Sequence, residues 1–159
     1  MLGAFKWLKI TYASFFGSGL GMILITFFWN LTEWSLDLAT DSLFLYAVPF
    51  VAISLVTIER LVYQSFKSEG RELVSVSRKW QLFQFGLVVS WISIDLSILF
   101  GVIAAMVSSQ FIFLAATLIF LIRFLSRYPK AEKLILDFNL KTKELEALFH
   151  NHKNIKKDE

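Results

Sequence analysis

Few side chains in this sequence are able to do chemistry, and where they stand matters more than how many there are. Asp95 lies near the middle of FQFGLVVSWISIDLSILFGV, residues 83–102, an apolar run of bilayer length. An ionised carboxylate at that depth is costly unless it finds a partner, water or a proton, so it is a functional-site candidate by default. Glu59 and Arg123 end two other apolar runs. They are candidates for an ion pair at the inner interface, although an arginine so placed is expected to snorkel towards headgroups instead. His150 and His152 stand two apart in a charged terminus with no further ligand near them, which gives no metal site. There is no cysteine, hence neither thiolate nucleophile nor disulfide framework. No Ser-His-Asp set and no glycine-rich phosphate loop can be assembled, so no catalytic residue, no enzyme activity and no cofactor are expected.

The elements that must position these groups follow from hydropathy. With 56% hydrophobic residues and seventeen phenylalanines, the chain is too apolar for a soluble domain of its size. Twenty residues at about 1.5 Å rise make roughly 30 Å of helix, the thickness of a hydrocarbon core. Four runs qualify as spans: about 10–29, 42–61, 83–102 and 110–126. The first is long and lacks a small-residue cleavage pattern, so it reads as a retained span. Pro49 interrupts the second, removing a backbone donor and freeing the carbonyl of Leu45. The expected fold is an all-α integral membrane protein with a transmembrane domain over 1–128 and a cytosolic helical tail over 129–159. Residues 62–82 are expected to be a basic cytoplasmic loop, read first as solvated, with part of it lying as an amphipathic helix on the inner leaflet as the other reading.

Charge sets the orientation. All sixteen Lys and Arg lie before the first span, between Arg60 and Lys79, or from Arg123 onward. Neither 30–41 nor 103–109 carries one. The positive-inside rule then places both termini in the cytoplasm, with the acidic 30–41 segment outside. Basic residues beside spans are accounted for by orientation and anionic lipid, so no direct nucleic-acid role is expected.

Two sets of small residues suit close helix approach: Ala13, Gly17 and Gly21 in the first span, and Ser90, Ser93 and Ser97 in the third. The first set serves either packing within the chain or an oligomer seam. Matching depths puts Asp95 in one layer with Pro49, Gly21 and Thr117, where Thr117 or the Leu45 carbonyl is its expected hydrogen-bond partner. The tail, starting near Pro129, keeps Leu134, Phe138, Leu145, Leu148 and Phe149 near one side of a helix about twenty residues long. That face needs a cover: the chain's own cytosolic segment, a neighbouring subunit, the membrane surface or another protein.

These features point to a homo-oligomeric membrane anchor or sensor that recruits a cytosolic protein through its basic segment and C-terminal helix. Small bacterial stress and phage-defence proteins share such a plan, which by analogy suggests the bacterial plasma membrane. Two other readings stand beside it: a small oligomeric channel or proton-linked transporter using Asp95, and an accessory subunit of a larger membrane complex.

Overall fold

The computed structural model describes residues 2–32, 34–35 and 43–140, with backbone alone at 2–4. Five helices follow in order: α1 (Leu2–Trp29), α2 (Phe44–Glu72), α3 (Val76–Ser108), α4 (Phe111–Ser126) and α5 (Ala131–Phe138). The first three are each long and apolar enough to cross a membrane. At 16 residues α4 reaches only about 24 Å. It counts as a fourth candidate span when taken with α5, from which it is bent by 79°.

The helix around which the others assemble is α3, which meets α2, α4, α1 and α5. Phe83, Leu87, Trp91 and Ile98 on it are fully buried. Lipid tails are as apolar as leucine, so helices that meet in a bilayer gain most from close backbone approach and dense packing. The small residues of α3 supply that approach. Ser90, Ser93 and Ser97 are all buried. Gly86 faces Tyr63 and Phe66 of α2, and Gly101 receives the methyl of Thr117 from α4.

The matching ridge of α1 behaves differently. Ala13 and Gly17 are exposed, and none of the described residues lies within 4 Å of where a Cβ would stand on Gly17 or Gly21. Packing of this ridge within the chain, one of its two expected uses, is therefore not found. Its helix turns Leu8, Tyr12, Gly19 and Ile23 inward instead. Bulky aromatic and aliphatic side chains on that face fill more of the α3 and α4 surface than the small ridge would.

The segment 62–82 also departs from expectation. It is not a solvated loop: α2 continues to Glu72, α3 starts at Val76, and a break of three residues separates them. The apolar run ends near Leu61, but helical periodicity does not. Glu59, Tyr63 and Gly70 stay buried along one stripe of α2. In the tail, α5 ends at Phe138 and its cap, Asn139, takes the left-handed conformation (φ 50°). Asparagine tolerates that conformation and commonly closes a helix there. Leu145, Leu148 and Phe149 lie outside the described residues.

At the opposite end, the α1–α2 and α3–α4 connections are tied by backbone bonds. Ser35 donates to Ser109 at 2.9 Å and Phe111 donates to Ser35 at 3.1 Å. The Asn30-Leu31-Thr32 sequence fits a glycosylation sequon, but Asn30 is buried and its side-chain amide donates to the carbonyl of Ala105. It is not presented to a glycosylating enzyme.

The glycines offer a direct check on this packing. Gly101→Ala drives a methyl into Thr117 and is expected to destabilise by about 1–3 kcal/mol. Gly17→Ala, with open space around it, is expected to be neutral or slightly stabilising. Reversible unfolding of both variants in the same detergent micelle reads the difference.

Candidate functional site

The ion pairs among the described residues gather at the end of the bundle where α2 and α4 finish and α3 starts, here called the basic end. Glu59 is its centre. Its position on α2 turns it towards α3 and α4, where it is 0% exposed. Ser90 donates to Oε1 at 3.0 Å and Arg123 donates to Oε2 at 2.6 Å. Arg127, at the C-terminal cap of α4, forms a second ion pair with Oε1. A buried carboxylate without a counter-charge is costly, whereas charge-assisted bonds from guanidinium are short and strong. That is why Arg123 pairs with Glu59 and does not snorkel, contrary to the expectation from sequence. Two arginines share one carboxylate, so the cluster keeps an excess positive charge.

From Arg127 the network reaches α5. The Arg127 guanidinium lies 5.4 Å from the centre of the Tyr63 ring, and the Lys133 ammonium lies 5.3 Å from it. Both are within cation–π range. The Tyr63 hydroxyl donates to Asp137 at 2.7 Å, and Lys67 donates to the same carboxylate at 2.7 Å. Arg71 and Lys79 donate to the backbone carbonyls of Asp137 and Phe138. These last bonds occupy carbonyls that the end of a helix leaves unsatisfied. Burial raises the Asp137 carboxyl, but the bonds from Lys67 and Tyr63 outweigh it and hold the group below the usual carboxylate range. Burial, and then Arg127, lowers the Lys133 ammonium.

Beneath this polar layer α5 is seated by packing. Leu134 and Phe138 are 1% and 0% exposed. Phe138 lies against Gly70 of α2 and meets Phe83 of α3 edge-on at 5.9 Å. These two residues of the expected partner-binding face are thus covered by the chain's own helices. Among the expected covers, this is the first.

Asp95 is elsewhere. It sits on the seam between α3 and α1, where a Cβ on Gly19 would stand 3.4 Å from its Oδ1. That oxygen is buried and has no hydrogen-bond partner among the described residues. The expected layer around it does not form. Thr117 donates instead to the carbonyl of Leu114 and packs on Gly101, while Pro49 lines a groove between α2 and α4. Gly21 has none of the described residues within 4 Å of its Cβ position. Depth along a helix does not determine which flank a residue occupies, and Asp95 and Thr117 turn to different neighbours.

Sequence reasoning did not single out Arg127, Tyr63, Lys67, Lys79 or Asp137. A signal existed for three of the participating groups: Glu59, Tyr63 and Lys67 recur every four residues, which is one face of a helix if α2 is continued past its apolar run. Among the described residues no group of three or more His, Cys, Asp or Glu is placed to hold a metal ion. No protein-family model matches the chain, and neither a curated protein nor a solved structure is found to be similar to it.

The α5 clamp has a defined pH response. Because the folded Asp137 carboxyl titrates below its unfolded value of about 4, its contribution is complete above that value and is lost as pH falls through the folded one. A polarity-sensitive dye on Leu136→Cys, a side chain 75% exposed in a chain without cysteine, should report unchanged α5 docking from pH 8 to 5 and release in stronger acid. In the Asp137→Asn background the part of that acid transition carried by the Asp137 clamp should be lost.

Proposed function

We propose that this chain is an integral membrane protein that serves as an oligomeric anchor or sensor and recruits a cytosolic protein through the segment following α5. In this reading four spans put both termini in the cytoplasm, since the segments that carry every Lys and Arg would then share one side. The observation that carries the reading is the clamp on α5. Asp137 is held by Lys67 and Tyr63, and Phe138 is seated between α2 and α3, so the C-terminal end of α5 has a fixed place on the bundle. A tail used for recruitment benefits from such a fixed origin, because it reduces the conformational freedom lost on binding. Oligomerisation is supported by the unpartnered small ridge of α1, a surface that a second helix could approach closely.

A second reading rests on Asp95. Its Oδ1 on the α1–α3 seam, without a hydrogen-bond partner among the described residues, suits a counterpart such as a basic residue of another membrane subunit or a permeating cation in an oligomer.

One pair of variants separates the two. Removal of residues 141–159 keeps α5 and its clamp and should abolish recovery of the cytosolic protein that co-purifies stoichiometrically with the full chain. Asp95→Asn should leave that recovery intact. Recovery that survives the truncation overturns the anchor reading. Cation flux through reconstituted full-length protein that is lost in Asp95→Asn would establish the channel reading in its place.

A further inference from the structure

On the flank of α2 and α4 lies an apolar groove of about 510 Å³ that no other helix among the described residues covers. Its floor includes Ala52 and Phe113, 7% and 3% exposed, and its walls include Ile53 and Ile119, 68% and 67% exposed. Along α2 it runs from Leu45 to Arg60, roughly 22 Å at 1.5 Å per residue. One leaflet of a bilayer contributes about half of a ~30 Å hydrocarbon core, so a whole acyl chain fits along it. The small side chains Ala52 and Ala116 give the groove its depth.

The two ends of the groove differ in charge. Arg60 is exposed at the basic end and forms no ion pair among the described residues. It adjoins Glu59 in sequence and therefore stands at the level of a cluster in which one carboxylate already serves two guanidiniums. Arg123, one turn beyond Phe120 of the groove wall, has a buried Nε without a partner among the described residues. The excess charge at this mouth is positive, and a phosphate is the complement that guanidinium recognises best.

We propose that the groove between α2 and α4 binds one acyl chain of an anionic phospholipid, with the lipid phosphate meeting Arg60. The chain lies along Ala52 and Ala116 while the headgroup neutralises the excess positive charge at the basic end. Binding of this lipid completes the outer flank of the bundle and couples the charged layer to the composition of the leaflet.

The test uses the full chain, stripped of lipid in detergent and titrated with phosphatidylglycerol or phosphatidylcholine of identical acyl chains, with native mass spectrometry counting bound lipids. The first phosphatidylglycerol should bind about tenfold more tightly than the first phosphatidylcholine, the scale of one charge-assisted contact. Arg60→Gln, a change at an exposed side chain, should weaken the first phosphatidylglycerol site and shrink that preference, with a smaller loss for phosphatidylcholine, whose phosphate charge is offset by its choline. Ala116→Phe, checked for folding by its circular dichroism melt, should weaken the first site for both lipids. Equal binding of the two lipids by the wild-type chain overturns the proposal, as does an unchanged preference in Arg60→Gln. A dimer that Ala116→Phe disrupts and lipid leaves unaffected overturns it too, and assigns the groove to a second copy.

Discussion

The constraint on which the rest of this structure depends is the burial of one carboxylate. Glu59 is removed from solvent, and a charge so placed persists only with close counter-charges and hydrogen bonds. Meeting that need fixes the rotation of α2, brings Ser90 of α3 against it, and draws the last turn of α4 inward through Arg123 and Arg127. Three helices are set in register by a single group. The ion pairs are not evidence of large net stability, because desolvation offsets most of what the attraction gains. Their effect is to exclude other arrangements: a slipped or rotated α4 would leave buried charge unmatched.

The same need explains the structure beyond the candidate spans. Arg127 caps α4, and its guanidinium lies over the Tyr63 ring, whose hydroxyl reaches Asp137 on α5. The sharp bend between α4 and α5 then folds α5 beneath α2 and α3, where Phe138 fills the space above Gly70. Charge and packing cooperate here. Polar contacts orient α5, and burial of Leu134 and Phe138 supplies the apolar contact that exposed ion pairs alone do not provide. In the anchor reading, this is how the bundle determines where the C-terminal segment begins.

How much of this was legible in the residues depended on the kind of information each feature needs. Apolar runs report the long apolar helices directly, and helical spacing puts Ser90, Ser93 and Ser97 on one side of α3, where all three are buried. Hydropathy reports where a chain leaves an apolar medium, not where a helix stops, so α2 and α3 extend through what reads as a basic loop. Rotation about a helix axis is a collective property of the bundle. That is why Ala13, Gly17 and Gly21 point away from the core, and why Asp95 meets Gly19 rather than Thr117. Pairing of Glu59 with Arg123 was visible as an option but turned on a balance between headgroup access and burial that single residues do not reveal. The second arginine, Arg127, tips that balance because it completes a shared site.

The most direct measurement is the unfolding free energy of Glu59→Gln, taken together with hydrogen exchange over residues 131–138 in the same protein. If Glu59 organises the basic end, the variant leaves two guanidiniums without their counter-charge and loses about 3 kcal/mol. Its α5 amides lose protection as well, although Glu59 forms no hydrogen bond or ion pair with α5 among the contacts described. Wild-type stability with α5 still protected would contradict the account and show that the helices are held in register by packing alone.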